Sequence, residues 1–130
     1  MQKYIPYLNT LGRLMIALIF LFSGLGKISG YDATQSYMAA MGLPGALLPL
    51  IIVFEVGAAL AIILGFETRL TAFLLAGFSL ITALVFHADL GDQTQVIMFM
   101  KNVAIAGGFL FLVANGPGAL ALDNRVTQGD

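Results

Sequence analysis

Five residues stand out by chemistry in a chain that is 59% hydrophobic: Lys27 in "LFSGLGKISGY", Glu55 in "IIVFEVGAAL", His87 in "ALVFHADL", and Lys101 and Asn102 in "MFMKNVAIAGG". Each is polar or ionisable, and each lies inside or at the edge of an apolar run. A carboxylate, an imidazole and two ammonium groups can hold and pass protons. His87 and Lys101 can donate to a carbonyl-type oxygen while Glu55 relays a proton. One histidine with Glu55 and the loop residues Asp89 and Asp92 is a poor ligand set for a transition metal, so no metal is expected. The 130 residues contain no cysteine, which excludes disulfides, thiolate metal ligands and cysteine-ligated iron–sulfur clusters within them. No heme-attachment motif is present either. Redox chemistry would need a bound cofactor or a partner protein.

The elements that position these side chains must be membrane helices. Charged residues make up 10% of the chain, against about 25% in soluble domains. The formal net charge of -1 offers no basic field for nucleic acid. Apolar stretches run over about 11–28, 45–64, 70–86 and 96–114, each near the ~20 residues that a helix needs to cross a bilayer. The expected fold is all-α: an integral membrane antiparallel four-helix bundle, read as a single domain over 1–130. The end of the first span lacks a convincing cleavage site, so its retention is expected. Between the first two spans, "GYDATQSYMAAMGLPG" predicts a short amphipathic helix. Asp32 and Gln35 form its capping pair, Thr34, Tyr37, Met38 and Met41 share a face, and Gly42 and Pro44 stop it. Such a helix is either an interfacial anchor or a lid.

Lys3, Arg13, Arg69 and Arg125 fall on one side of the bundle, and Lys27 and Lys101 on the other, which predicts cytoplasmic termini. Arg13 reads as an interfacial anchor, and Glu67 and Arg69 in "GFETR" as solvated turn charges. Gly57, Ala61 and Gly65 on the second span, and Ala104 and Gly108 on the fourth, recur at the four-residue spacing of helix-packing faces.

Glu55 lies about 12 Å from either end of its span, too deep to reach water, where a charge costs ~2.5–3.5 kcal/mol on insertion scales. It must face the bundle interior, find a partner in Lys101 or Lys27, or stay protonated. Antiparallel alternation places Lys27, His87 and Lys101 in one half of the bundle, and Glu55 approaches them from another helix. Lys101 is expected to face inward. Asn102, ~100° further round the helix, is expected to bond an adjacent helix. The cluster is either a polar pocket that binds a small molecule or moves protons, or an ion pair that fixes helix register.

These residues sit in segments that, taken in order with "MGLPG", "FEVGAALAIILGFETR" and "GPGALALD", resemble the DoxX family of small bacterial inner-membrane proteins, in particular its stand-alone four-helix members. The resemblance implies a bacterial inner-membrane location and family-like positions at Lys27, Glu55, His87, Lys101 and Asn102. The family takes its name from a relative of a thiosulfate:quinone oxidoreductase subunit, and other members are linked to oxidative-stress or detoxification complexes. A membrane subunit or accessory of such a system is therefore expected, with lipid, other redox subunits and a quinone as partners. The alternative is a non-enzymatic scaffold whose ion pair is structural. A proton-coupled carrier is disfavoured by the lack of internal repeats and broken helices. The resemblance assigns no enzymatic turnover to the chain itself.

Overall fold

The computed structural model describes residues 1–128, with side chains as far as Arg125. Six α-helices follow in order: α1 (Ile5–Ser29), α2 (Tyr31–Ala40), α3 (Leu48–Leu64), α4 (Thr68–Phe86), α5 (Gln93–Asn115) and α6 (Leu122–Gln128). No strand is present among the described residues. Helices α1, α4 and α5, and α3 together with the 3-10 turn Gly45–Leu47 that leads into it, are each long and apolar enough to cross a membrane. Their outward faces carry large apolar side chains such as Phe22, Val53, Leu84 and Phe111, as expected where lipid rather than water surrounds the bundle. The first span begins earlier than its hydropathy predicts because a proline in the first turn supports the helix from Ile5.

Helix α1 packs closely on α3, and α4 on α5. The two pairs meet through an aromatic layer that takes one ring from each spanning helix. Phe54 lies 5.2 Å from Phe78, Phe78 6.2 Å from Phe20, and Phe20 5.6 Å from Phe109, centroid to centroid. Small residues set the spacing on either side of this layer. A Cβ on Gly24 of α1 would lie 2.7 Å from Val56 Cγ2 and 3.4 Å from the Val56 backbone nitrogen, so only glycine permits this approach to α3. The predicted packing face on α3 is displaced. Gly57 has open space around it, and the buried positions are Ala58, Ala59 and Ile62. Ala61 is half-buried. On α5, Ala104 faces outward and Ala106 is buried, while Gly108 meets Ile16 of α1. The four-residue spacing was present on more than one face of these apolar helices, and the spacing alone does not say which face turns inward.

The turn between α3 and α4 is held from both sides. Gly65 ends α3 in the left-handed conformation at φ 73, and its amide and that of Phe66 bond carbonyls of the last helical turn. A side chain at Gly65 would collide with Ala121. Arg13, expected as an interfacial anchor, is instead buried at 2% exposure. Its Nη1 donates to the carbonyls of Ile62 and Ile63 at 3.1 Å, and its Nη2 to the Thr10 hydroxyl and the Leu120 carbonyl. A cation thus satisfies the orphan carbonyls at the C-terminus of α3. On the other side, the amides of Glu67 and Thr68 donate to the Asp123 carboxylate at 2.6 and 3.0 Å. The carboxylate thereby caps α4 from another helix and stabilises Glu67 at φ 46. Burial pushes the Asp123 carboxyl up, but the Thr68 hydroxyl, the Thr68 and Glu67 amides and the charge of Arg13 outweigh it, and the group sits below its ordinary value.

Helix α2 follows α1 after a single residue, Gly30. Asp32 makes no cap: the helix starts two residues earlier than that cap would set, with Gly30 as N-cap, and Asp32 falls in the first turn. Gln35, its expected capping partner, donates to the Gly45 carbonyl at 3.1 Å and ties α2 to the turn before α3.

Gly24→Leu is expected to force α1 off α3 and cost about 1–3 kcal/mol, whereas Gly57→Leu should stay within about 0.5 kcal/mol of the native protein. Unfolding in mixed micelles with increasing SDS measures both. For Asp123, a depressed folded-state pKa means that its stabilisation is complete above the unfolded carboxylate value of about 3.9 and is lost as pH falls through the folded one. Asp123→Asn should cost about 1 kcal/mol at neutral pH and flatten the acid limb of the unfolding curve.

Candidate functional site

Glu55 finds its partner on α1. Lys27 Nζ donates to both carboxylate oxygens at 3.0 Å and to Ser23 Oγ, one turn back on its own helix, at 2.6 Å. The Glu55 side chain is 4% exposed and that of Lys27 25%. Of the two predicted partners the structure selects Lys27, because Gly24 brings α1 against α3 beside Glu55. The ion pair lies between the tightly packed helices and opens on one side into a cavity of about 400 Å³.

Phe20 and Phe78 of the aromatic layer close the cavity at one end. Aliphatic side chains such as Ile51, Val85 and Ile105 form its walls. Helix α2 covers the other end: Thr34, Tyr37 and Met38 line the cavity, and the Tyr37 ring stacks on Phe86 of α4 at 5.3 Å. Met38 is buried there. Helix α2 thus covers the cavity, the placement that the lid reading expects. Ile19 and Ile81 also line the cavity while remaining 40% and 62% exposed, so it communicates with the lipid-facing surface.

All five residues singled out from the sequence line this cavity, but in unequal roles. Asn102 is buried, and its Nδ2 donates to the Ser79 carbonyl at 3.2 Å and the Thr82 hydroxyl at 3.0 Å, joining α5 to α4. His87 ends α4, and its Nδ1 lies 2.8 Å from Gln95 Oε1 on α5. With that oxygen as acceptor, Nδ1 carries the proton and the second nitrogen of a neutral ring is an acceptor. Lys101 departs most from expectation: its side chain is exposed, and its Nζ meets Met98 Sδ at 3.6 Å rather than Glu55. Glu55 is already satisfied by Lys27, and nothing in the bundle draws Lys101 further in.

Thr82, Gln95, Phe86 and Tyr37 were not singled out as site residues. Tyr37 was legible from the apolar face of α2. Thr82 and Gln95 owe their roles to contacts between α4 and α5, which leave no signal in local spacing.

The DoxX family model matches residues 8–88. The chain is 50% identical over 116 residues to "Inner membrane protein YqjF" of Escherichia coli K12, covering 89% of each chain. It is 45% identical over 127 residues to "Inner membrane protein YphA" of the same organism, covering 92% of this chain and 91% of that one. No solved structure matches. A spanning bundle of four helices, a family match over more than half the chain and relatives matched nearly end to end agree: the chain belongs to the DoxX family and is an integral inner-membrane protein.

Proposed function

We propose that the protein binds the head group of a quinone, or an amphipathic aromatic molecule of similar size, as the membrane subunit or accessory of a redox or detoxification system. The observation that carries this reading is the cavity: about 400 Å³, walled by apolar and aromatic side chains, with the Lys27–Glu55 pair, His87 and Asn102 along its lining. Its volume falls in the usual range for small-molecule sites, where apolar walls supply affinity and a few polar groups fix orientation. The exposed Ile19 and Ile81 support entry of a lipid-soluble ligand from the bilayer. Helix α2 then separates the bound head group from the aqueous side. Electrons would come from a partner redox protein, and the polar groups of the lining would orient the ring oxygens.

A second reading, a non-enzymatic scaffold, is favoured by the ion pair itself. It joins α1 to α3, and Gly57 and Ala104 remain on the outer surface, where a partner helix could approach closely. We also place both termini in the cytoplasm. Lys3 and Arg69 support this, whereas Arg13 and Lys27 are engaged in internal bonds and contribute little to the bias.

Titration of the purified protein in lipid nanodiscs with a short-chain quinone should show saturable binding that weakens about tenfold in Glu55→Gln. Lys27→Met, which strands a buried carboxylate, should cost about 3 kcal/mol, at the low end of such losses because Lys27 is partly exposed. Lys27→Met with Glu55→Leu should recover most of that stability. If the folded double variant still binds quinone as the native protein does, the ion pair is structural; if the native protein binds none, the scaffold reading takes over. For orientation, a green fluorescent protein fused to the C-terminus should fluoresce in cells and an alkaline phosphatase fusion should be inactive; the reverse pattern inverts the topology.

A further inference from the structure

The charges that line the lid-covered cavity do not balance. Lys27 is matched by Glu55 at 3.0 Å. Lys101 lines the same cavity, yet among the described residues no carboxylate partners it, and its hydrogen-bond partner is the weakly accepting Met98 Sδ on its own helix. The acids nearest in sequence are engaged elsewhere. Asp89 accepts from the Gly91 amide at 3.2 Å, and Asp92 caps α5 by accepting from Thr94 at 3.0 Å. The Lys101 Cα lies about 12 Å along α5 from its start, within the apolar segment, where a lone cation is unfavourable and an anion beside it is correspondingly favoured. Its long stem allows the ammonium to swing over the cavity mouth. His87 contributes no negative charge, since its bonded partner is the neutral Gln95.

We infer that the cavity selects an amphipathic aromatic monoanion, a ring system with one ionised oxygen such as a hydroxyquinone. The ionised oxygen pairs with Lys101, and the ring lies among the apolar side chains above Phe20 and Phe78. This rests on the reading of the cavity as a quinone-type site and adds the charge that the ligand carries. Lys101 is the residue that sets this preference. The Lys27–Glu55 pair is neutral as a unit and discriminates little between a neutral ring and an anionic one.

The test compares two probes in nanodiscs of zwitterionic lipid: a short-chain alkyl hydroxynaphthoquinone, ionised at neutral pH, and its O-methyl ether, which cannot ionise. The native protein should bind the ionised probe about tenfold more tightly than the ether. Lys101→Met should remove this preference by weakening the ionised probe, and Lys101→Arg should retain it. Equal affinity for the two probes on the native protein overturns the inference but leaves the quinone reading standing. So does a preference that survives in Lys101→Met. Failure of both probes to bind overturns the quinone reading and this inference with it.

Discussion

A carboxylate within a bilayer has no water to hold it, and the placement of Glu55 is the constraint on which the rest of the bundle turns. Its charge is satisfied only because α1 lies close enough for Lys27 to reach both oxygens, and α1 lies that close only because residue 24 is glycine. The polar bond and the steric gap are two halves of one device. Together they align α1 against α3, and the residues that follow Lys27 then fall where α2 can fold back across the opening. The lid, the cavity and the ion pair are therefore not independent features.

The second helix pair is fastened differently. Between α4 and α5 the bonds are uncharged: the Asn102 amide to Ser79 and Thr82, and the His87 ring to Gln95. Neutral bonds carry a smaller desolvation penalty than charges in apolar surroundings, and they hold these two helices without further ionic groups. The two pairs meet chiefly through rings, one from each spanning helix, which fill the middle of the bundle and leave the space near the lid open. Core filling and cavity formation are thus separated along the membrane normal.

The spans were legible in the sequence because a helix in lipid must be apolar for its whole length, a signal that needs no knowledge of neighbours. Glu55, Lys27 and Asn102 were legible for the complementary reason: polar atoms at that depth are costly and require partners. What the sequence does not specify is azimuth. Gly57 and Gly24 look alike as letters, yet one faces open space and the other fixes the closest helix contact. Lys101 likewise satisfies the depth criterion and lies on the exposed side of α5. Arg13 and Asp123 were misjudged or missed because their partners are backbone groups at helix ends, brought near only by the completed chain trace.

That last arrangement bears on how the molecule is assembled. The turn joining α3 to α4 lies at mid-chain, but its two stabilising charges come from residue 13 and residue 123. One is made long before the turn and the other long after it. During synthesis the α3–α4 hairpin can receive the guanidinium as soon as it meets α1, while the amides that begin α4 wait for α6. Asp123 thus acts as a closing latch, and the α3–α4 turn receives its second clasp only after α6 has been made.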